Sequence, residues 1–316
     1  MALRVAALAG GVGGAKLADG LAANLAPADL TVIVNTGDDF EHLGLVICPD
    51  LDTVVYTLAG LANPETGWGR EGETWNCLAT LGILGSETWF RLGDKDLAVH
   101  IERTRRIRLG QSLSDTTEAM RQALGVGVRI LPMSDDPVRT VVETGEGPLS
   151  FQEYFVARRC GPKVRSFRFE GIDTARPAPG VLHAVSESEA VVLCPSNPWV
   201  SLDPILAVRG VRQAVSARPV VAVSPIVGGR AIKGPAAKMF HELGIPPSAR
   251  AVAEHYRGLL TGMVIDRQDR GEEAGLRSLG TRVLVTDTVM RTSEDRRRLA
   301  AEVLEFASSL AERRPV

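Results

Sequence analysis

Lysine is scarce in this 316-residue sequence: there are five, against 31 arginines. Aromatic residues make up only 5%, and the four cysteines form no C-x-x-C pair, which removes the usual zinc and dithiol motifs. No run approaches the roughly 20 apolar residues a membrane span needs. Thirty-six basic and 38 acidic side chains leave a formal charge of -2, so overall charge draws the chain toward neither nucleic acid nor anionic membrane. Any anionic ligand must be held by local features. The scattered Cys48, Cys77, Cys160 and Cys194 read as reduced, buried thiols. The opening segment MALRVAALAGGVGGAK reads as a strand entering a glycine turn rather than a cleavable signal, and the expected location is the cytoplasm.

What is present is globular. With 45% hydrophobic and 23% charged residues, the chain can bury a sizeable core. Residues 3 to 9 are largely apolar, glycines follow, Ala15 to Leu25 have helical spacing, and Leu30 to Val34 form a second apolar run. Similar runs at Ala190 to Leu193, Val220 to Val223, Met263 to Ile265 and Val283 to Val285 alternate with helical stretches such as Pro235 to Leu243 and Glu294 to Leu310. This pattern predicts an α/β fold, a Rossmann-like parallel sheet with helices on both faces. Residues 61 to 185 read as an inserted α+β cap, with helices near Thr74 to Leu84 and Ser114 to Leu124 and strands near Val138 to Glu143 and Lys163 to Phe169. The expected organisation is one domain with a core of about 1–60 and 186–316.

Ligands of such sheets bind beyond the carboxyl ends of the strands, so the loops there carry the functional signal. Gly10-Gly11-Val12-Gly13-Gly14-Ala15-Lys16 follows the first strand and opens a helix, where backbone N–H groups and the positive helix end favour a phosphate. It is neither the dinucleotide fingerprint nor a P-loop, because Lys16, Ala15 and Leu17 stand where those motifs need other residues. A tight strand-to-helix turn would use the same glycines. Lys16, Lys233 and Lys238 lie in or just after glycine-rich segments, and a compact ammonium suits phosphate oxygens.

Asn35-Thr36-Gly37-Asp38-Asp39 follows the second strand, and Pro49-Asp50-Leu51-Asp52-Thr53 begins a helix. Singly, these aspartates suit turns and helix starts. Together, beside a phosphate, they pose an electrostatic problem: two like charges about 5 Å apart repel by roughly 3 kcal/mol at an effective dielectric of about 20. A cation removes that cost, and an all-oxygen ligand set favours Mg²⁺. Cys194-Pro195-Ser196-Asn197-Pro198 and the stretch from Ser224 to Pro235 add hydroxyls and backbone donors at two further strand ends. The arginine runs Arg103 to Arg108 and Arg296 to Arg298 read as solvated faces, and the dispersed histidines as packing or surface, with His42 close to the acidic loop.

GGVGGAKL, VNTGDDFEHLGLVICPDLDTVVYTLAG, TWFRLGDKDLAVHI, ILPMSDDPVRT, PSNP and SPIVGGRAIKGPAAK, in this order, resemble the 2-phospho-L-lactate transferase family of coenzyme F420 biosynthesis. The resemblance implies a homodimer that joins the deazaflavin Fo to a phosphorylated three-carbon acid, taken from a guanosine diphosphate adduct with release of GMP. It leaves the acid open among lactate, enolpyruvate and glycerate. It implies Asp38 and Asp50 as Mg²⁺ ligands, with Asp39 and Asp52 orienting the metal or the Fo hydroxyls. Gly11, Gly13 and Lys16 would hold donor phosphate, beside Thr36. Ser196, Asn197, Gly228, Gly229 and Lys233 would line the guanosine diphosphate side, and Arg91 and Lys95 the Fo or acid side.

Two other classes compete. A nicotinamide-dependent oxidoreductase would explain a glycine turn on the first strand but not the aspartates beside it. A non-catalytic nucleotide-sugar binder of the related gluconeogenesis-factor family would explain both, but not TWFRLGDKD, ILPMSDDP and PSNP together.

Overall fold

The structure, a computed structural model, describes residues 3–312. Seven parallel strands form the central sheet: β1 (Val5–Ala9), β2 (Leu30–Val34), β3 (Arg129–Pro132), β4 (Ala190–Leu193), β5 (Val220–Val223), β6 (Gly262–Asp266) and β7 (Arg282–Thr286), in the spatial order β7-β6-β5-β4-β1-β2-β3. The order runs outward in both directions from β1, so a crevice opens between the carboxyl ends of β1 and β4. Successive residues of a strand face opposite sides, and the two apolar layers follow that period. Val5, Ala7 and Ala9 join one core with Val32, Val192 and Val264, while Ala6 and Leu8 join the other with Ile33, Val191 and Ile265.

The strand at Arg129–Pro132 is a departure from the expected boundaries, since it belongs to the central sheet yet lies within the stretch assigned to the cap. It sits at the sheet edge, where Pro132 removes no ladder hydrogen bond, and its short apolar run gave no period to separate it from its surroundings. Around it the inserted region forms helices Asn76–Ile83, Asp94–Arg108 and Leu113–Ala123. A three-stranded antiparallel sheet is made of Gly147–Ser150, Arg139–Thr144 and Val164–Glu170. Among the described residues no helix is long and apolar enough to cross a membrane.

The glycine turn is shorter than the sequence implied. Helix α1 spans Gly11–Asn24, with Gly10 alone linking it to β1, so Gly11, Gly13 and Gly14 form the first helical turn. They serve close approach: a Cβ at Gly13 would strike the Pro195 carbonyl beyond β4, and one at Gly14 would lie 2.6 Å from the Ser196 hydroxyl. Further along, Gly20 lets α1 cross the helix Ser293–Ala311, where a Cβ would fall on the Arg296 carbonyl and within 3.1 Å of Ala300. Alanine would gain about 1 kcal/mol of helix propensity at that position, but a backbone carbonyl cannot rotate away, and overpacking costs about 1–3 kcal/mol. Gly20→Ala is therefore expected to lower the urea midpoint with no change in slope; a raised midpoint would contradict the close crossing.

Candidate functional site

The carboxyl edge of β1, β2 and β4 gathers the first three loops around Asn35. Its amide nitrogen donates to Asp50 Oδ2 (2.9 Å) and to the Val200 carbonyl (3.1 Å), and its Oδ1 accepts from the Gly37 N–H (2.8 Å). One side chain thus ties the end of β2 to helix α2 (Pro49–Leu58) and to the turn beyond β4. Pro49 opens α2 in the first turn, where a missing N–H costs nothing, and this sets Asp50 and Asp52 at its N-terminal end. Asp50 Oδ1 accepts the Gly11 N–H (2.8 Å), so its carboxylate already lies on the positive end of α1. Ser196 closes the ring: its hydroxyl donates to the Gly10 carbonyl (2.8 Å) and accepts the Gly10 N–H (3.2 Å). The cap reaches in as well, with the Thr140 N–H donating to the Gly37 carbonyl at 2.6 Å.

Asp38, Asp39 and Asp50 are all buried here. Burial raises Asp50 to about 6, against the pull of the Asn35 amide and the Gly11 N–H. Burial also lifts Asp39 to about 8, although the Cys48 thiol, Arg139 and Arg103 favour its charge. Asp38 is pushed well above the usual carboxylate range by burial and then by repulsion from Asp50. One oxygen of Asp38, one of Asp39 and the hydroxyls of Thr36 and Thr140 are buried with no hydrogen-bond partner. Unsatisfied oxygens beside mutually repelling carboxyl groups are of the type a hard cation could take as ligands.

Asp52 has a partner that the sequence reading did not supply. Arg103 holds it in a buried, two-pronged ion pair, one contact being Nη1 to Oδ2 at 3.1 Å. Arg103 was assigned to a solvated face, but it is the buried cation of a network. Its Nη1 lies 3.1 Å from His100 Nδ1, His100 Nε2 lies 3.3 Å from Asp96 Oδ1, and the Tyr56 hydroxyl donates to Asp96 at 2.7 Å. Asp52, Asp96 and His100 bring ligand atoms within 4.8 Å of one another, but the guanidinium already supplies their positive charge. His100 was likewise read as packing or surface. The missed signal is the spacing Asp96-x-x-x-His100-x-x-Arg103, which puts the three on one helical face.

The other predicted residues divide between the crevice and its margins. The Lys16 ammonium donates to the Met290 carbonyl (2.8 Å), and burial followed by Arg296 and Lys233 lowers its pKa. Lys233 donates to the Thr66 carbonyl (3.1 Å), tying its glycine-rich segment to the loop that follows α2. Gly228 and Gly229 turn with positive φ, and the Gly228 N–H donates to Asp269 (2.9 Å). Asn197 caps its own turn by accepting the Trp199 N–H (3.1 Å). Arg91 stacks over Trp75 at 4.3 Å and, with Trp68 and Arg70, lines a separate cavity of about 80 Å³. Beside it the exposed Lys95 ammonium donates to the Glu71 carbonyl (3.0 Å). His42 is buried against Phe40, Trp89 and Phe90.

Two outcomes are expected from this electrostatics. A carboxyl group whose folded pKa is raised holds its proton while the unfolded chain has lost it, so stability falls as pH rises. Without metal, Asp50 and Asp39 make stability decline from about pH 4 to about pH 8, and Asp39→Asn flattens the upper part of a urea-stability profile. Arg103→Met strands a buried charge and costs about 3–5 kcal/mol, most of which the double change with Asp52→Asn restores in the same measurement.

Residues 5–304 match the family described as 2-phospho-L-lactate transferase CofD. A protein named phosphoenolpyruvate transferase from Kitasatospora aureofaciens is 43% identical over 319 aligned positions, covering 98% of each chain. One named 2-phospho-L-lactate transferase from Methanosarcina mazei is 40% identical and covers 94% of this chain and 98% of its own. A solved UPF0052-family protein from Bacillus halodurans superposes with a TM-score of 0.63, covering 96% of this chain and 99% of its own; at 17% identity it shares the fold alone. The chain carrying this acidic crevice belongs to the 2-phospho-L-lactate transferase CofD family.

Proposed function

We propose that this chain transfers a phosphorylated three-carbon acid, enolpyruvyl or lactyl phosphate, from a guanosine diphosphate adduct to the deazaflavin Fo. A hydroxyl of the Fo side chain attacks the phosphorus that bears the acid, a new P–O bond forms, and the bridging bond to GMP breaks. GMP leaves with the bonding electrons and the hydroxyl loses its proton. Such a step needs in-line placement and neutralised charge more than a covalent nucleophile.

The observation that carries this reading is the buried pair Asp38 and Asp50, with unsatisfied oxygens at the end of a helix where a diphosphate would lie. The set fits Mg²⁺, which Asp38 and Asp50 would hold. When bound there, Mg²⁺ would supply positive charge that offsets the negative charge of the diphosphate and of the departing GMP. Gly11 and Gly13 seat the first turn of α1 against Asp50 and the Pro195 carbonyl, so that its N-terminal end would face the donor phosphate, with Ser196 and Asn197 bracing the opposite side of the crevice. Gly228, Gly229 and Lys233 form the nucleotide side. Asp39 and Thr36 orient Fo hydroxyls, while Asp52 acts through Arg103 as a positioning residue. Trp68, Trp75 and Arg91 offer ring faces and a planar cation suited to a heterocycle. Four free cysteines accord with the cytoplasm. The homodimer is part of this reading, and sedimentation reads it directly.

The test is GMP release from purified protein given Fo, Mg²⁺ and either donor, with the product identified by mass. Asp50→Ala should reduce release by about two to three orders of magnitude. Excess chelator should stop it, with recovery on adding Mg²⁺. Full turnover in the Asp50 variant, or under chelation, would overturn the assignment.

A further inference from the structure

At the amino end of the sheet, opposite the acidic crevice, a cavity of about 570 Å³ lies under the segments that lead into β5 and β6. Its size is within the range of small-molecule sites. Arg209 and Arg212 line it from one segment and Arg257 from the other, and no carboxylate is among its lining residues. Among the described residues, none of these guanidinium groups has a hydrogen-bond or ion-pair partner. The acidic side chains of the same segments are engaged elsewhere: Asp203 with His255 (2.9 Å) and Glu254 with Arg250 (2.9 Å). Leu206 and Leu259, both buried, contribute an apolar floor, and Gln213 adds a neutral amide.

We propose that this cavity is a second anion site, for a small organic molecule carrying a phosphate and a further acidic group. Three unpaired guanidinium forks around one opening exceed what a single carboxylate satisfies, and their planar donors match phosphate oxygens in pairs. The apolar floor favours an organic body over a bare inorganic ion. Because no aspartate lines the opening, binding here needs no metal, which separates it from the crevice. The arginines are exposed, so binding weakens as salt rises.

The test uses the full chain in excess chelator, with 3-phosphoglycerate and inorganic pyrophosphate as probes. Calorimetry reads affinity and amide hydrogen exchange reads place. One equivalent of 3-phosphoglycerate is expected to bind more tightly than pyrophosphate and to protect 206–216 and 257–259. Arg209→Ala, Arg212→Ala and Arg257→Ala should each weaken it by roughly tenfold or more, leaving GMP release within about twofold of the parent chain. No binding, protection confined to 10–16, pyrophosphate binding as well as 3-phosphoglycerate, or unchanged affinity in all three variants would overturn the proposal. Chelation silences the metal-dependent reaction without touching this site, so failure of one reading is distinguishable from failure of the other.

Discussion

Repulsion between buried carboxyl groups at the end of the first two strands is the constraint around which the crevice is organised. Asp50 is held on the N-terminus of α1 by the Gly11 N–H and by the Asn35 amide, yet burial still raises it to about 6. Asp38 is pushed higher by burial and by Asp50 itself. Burial and mutual repulsion oppose ionising these groups together, and the surrounding backbone holds them in place nonetheless. Ser196 bridges the two polar groups of Gly10, and Gly37 fits where a Cβ would lie 2.7 Å from the Thr140 hydroxyl. The strained electrostatics therefore sit on rigid strand ends, where a ligand finds the oxygens already placed.

The pair Asp52 and Arg103 solves a different problem. A buried ion pair is weak evidence for stability, since apolar residues of similar volume often do as well. Its consequence here is positional. Arg103 comes from the cap and Asp52 from the first turn of α2, so satisfying both charges fixes the cap helix against the helix that presents Asp50. The chain through His100, Asp96 and Tyr56 extends that bond, and Asp96 also lines the cavity beneath Trp75 and Arg91. The acidic crevice and the cavity lined by Trp75 and Arg91 are thereby linked by one chain of buried polar contacts.

Much of this was legible from residue order, and the exceptions have physical causes. Continuous apolar runs located the core strands, with Ala190–Leu193 and Val220–Val223 matching residue for residue, because buried parallel strands leave little room for polar residues. The family was legible from its motifs. The edge strand Arg129–Pro132 was hidden because its apolar stretch is only Ile130 and Leu131 between an arginine and a proline, whereas the located strands are unbroken apolar runs. Helix α1 begins earlier than its helix formers suggested because its glycines answer to the Pro195 carbonyl and the Ser196 hydroxyl, contacts invisible in one dimension. Arg103 was misjudged for the same reason: a charge in an arginine run reads as solvated until the partner from another element, Asp52, is known.

The parallel architecture also explains why the two edges of the sheet meet anions by different means. The first strand leads at its carboxyl end directly into helix α1, whose N-terminus lies at that edge and holds the Asp50 carboxylate through the Gly11 N–H. At the amino edge the helices end, and their carbonyls present negative charge instead. Arg257 follows the helix Ala249–His255, and Arg209 follows the helix Asp203–Ala207. Guanidinium groups in those places offset the helix ends, while Arg212 lies in the first turn of the helix Val211–Ser216, which opens at the same cavity. The carboxyl edge gathers buried acid, whereas the amino edge has positive charge built into the chain by Arg209, Arg212 and Arg257, so an anion proposed there would be met by arginine rather than by metal.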